Sequence, residues 1–226
     1  MMTESTLSGD TRAFRAGGIT MHGEAAFWDK IADKYAAQPI KDMQAYEQTM
    51  DRTRAHLSTE DRVLEVGCGT GSTAVLLAPS VAHITASDVS EAMLEIGRGR
   101  ARDAGVENVE FKKVALPDTP LEASAFDAVL AFNALHLVRD LPAVLRSLHA
   151  ALEPGGLLIS KTVCLAERTR LWALPLYLLR LIGKAPYVNL LTFEDVERAM
   201  VDAGFEIAET GLYPAPHSRF VVARRV

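Results

Sequence analysis

An apolar strand that runs straight into a glycine-rich turn and then into a helix constrains this chain more than anything else in it. The stretch reads Val63-Leu64-Glu65-Val66-Gly67-Cys68-Gly69-Thr70-Gly71-Ser72. Glycines at 67, 69 and 71 let the backbone turn tightly and let a ligand approach the main chain, which a Cβ would hinder. The helix start that follows offers unpaired N–H groups to an anion. Alone, such a turn is equally an ordinary strand-to-helix connection.

Two acidic residues sharpen the reading. Glu65 lies two residues before the first glycine, at the end of an otherwise apolar strand, where a carboxylate can receive a ligand cation. Asp88 closes the next apolar run, Ala82-His83-Ile84-Thr85-Ala86-Ser87, at about the twenty-residue distance where doubly wound folds place an acid on ribose hydroxyls. The glycine spacing then separates two ligand classes. A dinucleotide fingerprint is Gly-x-Gly-x-x-Gly, whereas here the third glycine falls one place early, at 71, and position 72 is Ser. A pyrophosphate is also poorly served by a neighbouring carboxylate.

Past the turn, strand and helix patterns alternate. Residues 73–79 read as a short helix, 82–87 as a strand, and 90–104 as a helix with Ser90 as N-cap and Gly105 just past its end. Strands follow at 109–114 and 126–133, then a helix at 140–152 with Pro142 in its first turn, and a strand at 157–163 after the turn Pro154-Gly155-Gly156. Thr192, with Asp195 three residues on, starts a last helix, and 205–212 and 219–224 are two final strands. Alternating βαβ units imply a parallel sheet. A ligand sits outside the carboxyl ends of such strands, which collects Glu65, Gly67, Cys68, Gly69, Asp88, Val89, Ala115, Leu116 and Asn133. Both carboxylate oxygens of Asp88 are expected free for the two ribose hydroxyls, with Val89 and Leu116 on either face of an adenine.

The run Glu65-Val66-Gly67-Cys68-Gly69-Thr70-Gly71 followed by Asp88 resembles the first and second motifs of class I S-adenosylmethionine-dependent methyltransferases, and the similarity extends over residues 27–226. The resemblance implies an α/β, doubly wound, mostly parallel seven-stranded sheet, the Rossmann-like methyltransferase fold, with helices on both faces and an antiparallel last strand. It implies S-adenosyl-L-methionine as cofactor, held by residues 65–71, 88–89 and 115–116 and by Asn133, with Tyr35 near its methionine end. One position departs. Many members carry an Asp at 115 that accepts from the adenine amino group, but this chain has Ala115, so either Asp118 reaches back or backbone and water take over. A hydrogen bond of this kind is worth about 1 kcal/mol net, so its loss weakens binding without abolishing it.

The 226 residues suffice for one α/β domain with a substantial core. A net charge of −5 and the absence of any long Lys or Arg run exclude the footprint of a nucleic-acid binder. Two cysteines, Cys68 and Cys164, make neither a disulfide framework nor a metal-ligand spacing, and a reducing, cytoplasmic setting is expected. Residues 1–24 are polar and lack the apolar stretch of a signal peptide, so they are expected as a flexible lead-in to a single domain at 25–226. Phe27, Trp28, Ile31, Ala32 and Tyr35 recur at helical spacing, Pro39 interrupts, and Tyr46, Met50 and Leu57 suggest a second helix within 25–58. These helices either bury an aromatic stripe on the sheet or wall off an acceptor pocket.

His136, just past the fourth strand, is the candidate general base, although a sulfonium methyl needs alignment more than a base. The segment 164–191 reads as an apolar insertion or lid. Its core, residues 171–182, is Leu-Trp-Ala-Leu-Pro-Leu-Tyr-Leu-Leu-Arg-Leu-Ile, with Arg168, Arg170, Arg180 and Lys184 around or within it. Too short to span a bilayer, it either adds to the core, covers an apolar acceptor, or makes a peripheral membrane contact. The expected activity is methyl transfer to a small, substantially apolar molecule. A non-catalytic S-adenosylmethionine-binding protein and an NAD-dependent oxidoreductase are the alternatives.

Overall fold

Each apolar run of the central chain becomes a strand of one sheet. The computed structural model describes residues 21–167, 173–213 and 217–226. In chain order the strands are β1 (Arg62–Val66), β2 (His83–Asp88), β3 (Val109–Lys113), β4 (Phe126–Phe132), β5 (Leu152–Val163), β6 (Phe205–Gly211) and β7 (Ser218–Arg225). Their spatial order is β3-β2-β1-β4-β5-β7-β6. Strands β1 to β5 pair in parallel, and β7 runs antiparallel to both β5 and β6. The chain direction across the sheet therefore reverses between β1 and β4, which is where open α/β sheets open a ligand crevice.

The helices are α1 (Met21–Ala36), α2 (Met43–Arg54), α3 (Ser72–Leu77), α4 (Glu91–Asp103), α5 (Leu141–Ala151), α6 (Ala173–Leu181) and α7 (Phe193–Asp202). Their starts follow side-chain chemistry. Asp42, Ser90 and Asp140 accept from the backbone N–H three residues on, at 2.9, 3.2 and 2.9 Å. Thr192 and Asp195 complete a reciprocal capping box on α7, and caps of this kind are worth about 1 kcal/mol each.

Two apolar layers sandwich the sheet. On one face Leu64, Val66, Val129 and Leu158 meet Val144, Leu145 and Leu148 of α5 and Val196 and Met200 of α7. On the other, Val63, Ile84, Leu130, Ile159 and Phe220 meet Met50 of α2, Leu77 of α3 and Leu94 of α4. The alternation of strand side chains puts Glu65 and Lys161 on this second face, beneath α2 and α3.

Three boundaries differ from the sequence expectation. Helix α1 already begins at Met21, inside the expected lead-in, and Glu24 in its first turn pairs with Arg139 at 2.6 Å; residues 1–20 lie outside the described chain. Leu57 lies beyond the end of α2. Strand β5 begins at Leu152, because Pro154-Gly155-Gly156 is a bulge within it. Phe126 pairs with Leu152 and Ala128 with Leu157, and a Cβ on Gly156 would stand 2.9 Å from the carbonyl oxygens of Asp127 and Glu153.

The apolar insertion does not join the core along most of its described length. Leu174, Leu178, Leu179 and Ile182 are exposed, the first and last by 66% and 63%. The chain just after α6 makes the attachment instead. Asn189 donates its backbone N–H to His136 O at 2.7 Å and its side-chain amide to Val138 O at 3.1 Å. The ring of Tyr187 lies between Arg139 and Arg180, each guanidinium 5.1 Å from its centroid. Arg168, Arg170, Leu171 and Trp172 lie outside the described residues. Among the described residues, no helix is long and apolar enough to cross a membrane.

Candidate active site

The glycine turn separates two structural glycines from one that faces open space. Gly67, Gly69 and Gly71 all have positive φ, at 66°, 53° and 72°. A Cβ on Gly67 would stand 2.7 Å from Ala134 Cβ, and one on Gly71 would stand 2.7 Å from the Phe111 ring and 3.1 Å from Gly97 Cα. The same atom on Gly69 meets nothing nearer than Tyr35 Cε1 at 4.0 Å. Gly69 is therefore where the backbone is left bare for a ligand.

Around this bare backbone lies a cavity of about 890 Å³ over the carboxyl ends of β2, β1, β4 and β5, in the upper part of the range for small-molecule sites. Tyr35, Glu65, Gly67, Cys68, Gly69, Asp88, Val89, Leu116 and Asn133 all line it. Gly71, Ala115 and His136 are not among its lining residues. Gly71 is the left-handed N-cap of α3, held against Phe111. Ala115 is engaged in its own turn, its N–H to Thr119 Oγ1 at 3.1 Å and its carbonyl accepting from Thr119 N at 2.8 Å, while Asp118 lines the cavity. His136 is buried in the 3₁₀ turn Leu135–Leu137, and burial pushes its imidazole down to about 4. A neutral ring outside the cavity does not meet the requirement for a base within reach of the acceptor.

Glu65 is the most unusual group in the site. It is buried at 2% exposure, it receives the Ala74 N–H, and its Oε2 has no hydrogen-bond partner among the described residues. Burial, and then the charge of Asp88, push its carboxyl up to about 8. A carboxylate left unmatched in a dry wall is costly, and a ligand cation would relieve that cost.

Asp88 differs from the expectation that both its oxygens stand free. Oδ2 accepts from Gly69 N and Oδ1 from Ser90 N, each at 2.9 Å. The carboxylate thus ties the glycine turn to the start of α4, and each oxygen keeps a further lone pair for a hydroxyl. Burial raises its carboxyl above the ordinary range despite these bonds. Cys68 lines the cavity as a thiol, its ionisation pushed well up by burial. Asn133 holds a left-handed conformation, φ 54°, that suits its residue type, and its N–H donates to Lys161 O at 2.7 Å.

Three residues that complete the site escaped the sequence reading. Asp29 of α1 accepts from Ser90 Oγ at 2.6 Å and from Ala92 N at 3.2 Å, docking α1 on the start of α4. Arg100 of α4 donates to Thr70 Oγ1 at 2.6 Å, to Ser72 Oγ, and to Ala36 O at 3.1 Å, which clamps the end of α1 over the glycine turn. These two contacts bring Tyr35 above Gly69. The aromatic stripe of α1 is thus only half buried, and Trp28 and Tyr35 face the cavity. The third residue is Lys161 of β5, which lines the cavity and donates to Thr49 Oγ1 of α2 at 2.8 Å. Among the described residues, no group of three or more His, Cys, Asp or Glu is placed to hold a metal.

Residues 63–156 match a family described as a methyltransferase domain. A demethylmenaquinone methyltransferase of Clavibacter sepedonicus is 39% identical over 99 residues, 44% of this chain and 40% of that protein's length. A ubiquinone biosynthesis O-methyltransferase of Acinetobacter baumannii is 26% identical over 198 residues, 85% of this chain and 82% of the other. The solved structure of a geranyl diphosphate C-methyltransferase from Streptomyces coelicolor, complexed with Mg2+, geranyl diphosphate and S-adenosyl-L-homocysteine, shares the fold. Its TM-score is 0.69 at 15% identity, over 91% of this chain and 97% of that one.

Proposed function

We propose, for a chain that belongs to the class I S-adenosylmethionine-dependent methyltransferases, that the bare backbone at Gly69 and the orphaned carboxylate of Glu65 hold the methionine end of the cofactor. The enzyme uses S-adenosyl-L-methionine and methylates a small molecule. Its relatives carry methyltransferase names, and the oxidoreductase and non-catalytic readings find no support among them. The carrying observation is Glu65 Oε2, buried beside the glycine turn and without a hydrogen-bond partner among the described residues.

Strand order then lays the ligand out across the sheet. Over β3 and β2, Val89 and Leu116 would enclose the adenine, and Asp118 would take the amino group that Ala115 cannot serve. Asp88 would use its remaining lone pairs on the ribose hydroxyls, and over β1 Glu65 and Gly67–Gly69 would hold the amino-acid end under Tyr35. The bound cofactor supplies a methyl already activated by its sulfonium. What the chain adds is alignment and dryness, through the clamp of α1 by Asp29 and Arg100 and through the wall formed by Tyr46, Thr49 and Met50 of α2.

The acceptor in this reading is a small, largely apolar molecule of the kind its relatives handle in quinone biosynthesis, with no nucleic acid involved. Support comes from the apolar wall at Met50, Phe132 and Leu135, since none of the described residues of α6 lines the cavity. The exposed Leu174, Leu178, Leu179 and Ile182, with Arg180 and Lys184 beside them, instead suit contact with an anionic membrane surface by an enzyme resident in the cytoplasm. Retention of Leu178→Asp/Leu179→Asp protein on anionic vesicles as strongly as the unaltered chain would remove that assignment. The function itself is tested by calorimetry with S-adenosylmethionine, S-adenosylhomocysteine and NAD, followed by a mass search for methylated products. Binding of the first two without NAD, and a mass gain of one methyl, are expected.

A further inference from the structure

Lys161 is a cation with no carboxylate set directly against it among the described residues. Among the described residues its one hydrogen-bond partner is a hydroxyl, Thr49 Oγ1, which itself donates to Ala45 O at 2.7 Å. No carboxylate lies within ion-pair distance of it among the described residues. The charge of Asp42 acts on it from farther off, and that carboxylate is already engaged as the cap of α2, accepting from Ala45 N at 2.9 Å. From the strands on either side its register partners are Phe132 of β4 and Phe220 of β7, neither of them charged. Tyr46 and Thr49 face the same space from α2, and Ser218 from the end of β7.

Position along the sheet gives this cation its role. Strand β5 stands two places from β1, about 10 Å at the usual strand spacing, and β4 with Phe132 lies between. That distance suits the gap between the cofactor's amino-acid end over Glu65 and a second molecule lying beyond its methyl group. We propose that Lys161 receives the acidic oxygen of the methyl acceptor, and that the acceptor is a phenol or an enol whose flat apolar body lies against Phe132. The inference rests on the cofactor reading above and adds the acceptor's chemical class to it.

The step balances without a further reagent. Lys161 in its amine form takes the proton of the acceptor O–H, and partial burial, which lowers its ionisation, favours that form more than water does. The oxygen's electron pair forms the new O–CH3 bond as the S–CH3 bond breaks, with that bond's pair staying on sulfur as the neutral thioether. The ammonium of Lys161 gives its proton to water when the methyl ether leaves. In this scheme Lys161 takes the place assigned from sequence to His136.

The test uses 4-nitrophenol, whose visible absorbance reports directly whether it is ionised, with the whole protein saturated by S-adenosylhomocysteine. Bound to the unaltered protein, the probe is expected to ionise about one pH unit lower than in water, a tenfold change in its ionisation constant. Lys161→Met, which removes the cation at nearly constant side-chain volume, is expected to abolish that shift, whereas Lys161→Arg keeps it. Both variants should bind S-adenosylhomocysteine as the unaltered protein does. Failure of the probe to bind, titration of the bound probe as in water, or a shift that survives Lys161→Met would overturn the proposal while leaving the cofactor reading intact. Absence of S-adenosylhomocysteine binding by the unaltered protein would overturn both.

Discussion

Backbone makes the half of the cavity over β1 and β2, whereas side chains from distant elements make the half over β4 and β5. In the first half, three glycines within five residues, one buried carboxylate and the N–H groups of Gly69 and Ser90 come from two adjacent strand ends. In the second, Lys161 meets Thr49 across 112 residues of chain. The difference teaches why cofactor recognition can stay fixed while the acceptor changes. A turn whose geometry is dictated by backbone tolerates little substitution. A wall of side chains on separate helices can be altered one residue at a time.

Substitutions can break this contrast, and the largest effect is expected at Gly67. Gly67→Val forces a side chain into Ala134 at positive φ, so stability should fall by about 3 kcal/mol or more, seen as a collapsed melting transition. Asp88→Ala comes next. It removes the ribose contacts, worth about 1.5–3 kcal/mol each in a sheltered site, and affinity for S-adenosylhomocysteine should fall at least tenfold by calorimetry. Because both oxygens also hold backbone N–H groups, the melting temperature should drop with it. The smallest effect belongs to Gly69→Ala. Its Cβ enters open cavity near Tyr35, so folding should lose only about 1 kcal/mol while cofactor affinity falls severalfold. Equal losses of stability at Gly67 and Gly69 would dissolve the distinction between a structural and a ligand-facing glycine.

The same contrast decides what could be read from the sequence. Strand and helix order, the Ser90 and Thr192 caps and the line from Glu65 to Asp88 were legible because each depends on neighbours a few residues away. Lys161 was not, since Ser160-Lys161-Thr162 reads as the polar end of a strand until α2 is known to lie over it. Arg100 stands among Arg98 and Arg102 on one helix, and nothing local marks which of the three clamps Thr70 and Ala36. His136 misled for the same reason. Its place just past β4 does not say which way the 3₁₀ turn carries the ring, and the turn buries it away from the cavity. The leucines of α6 left core, lid and membrane contact all open, because composition records apolarity but not whether another element covers it.

The central claim, that the Glu65 carboxylate holds the cationic end of S-adenosylmethionine, has a protonic signature. Glu65 ionises near 8 in the folded, unliganded protein against an ordinary value of 4.5. Its raised ionisation contributes stability that is fully present below 4.5 and is lost as pH rises from 4.5 to about 8, with no further loss from this group above. A bound cation reverses the burial penalty and draws the proton off. The direct measurement is therefore calorimetry of S-adenosylmethionine binding at pH 7 in buffers of differing ionisation enthalpy, with Glu65→Gln as the control. Release of nearly one proton by the unaltered protein is expected, fading above about pH 8 and absent, with weakened affinity, in Glu65→Gln. Binding of unchanged affinity in Glu65→Gln, or binding without proton release at pH 7, would contradict the account.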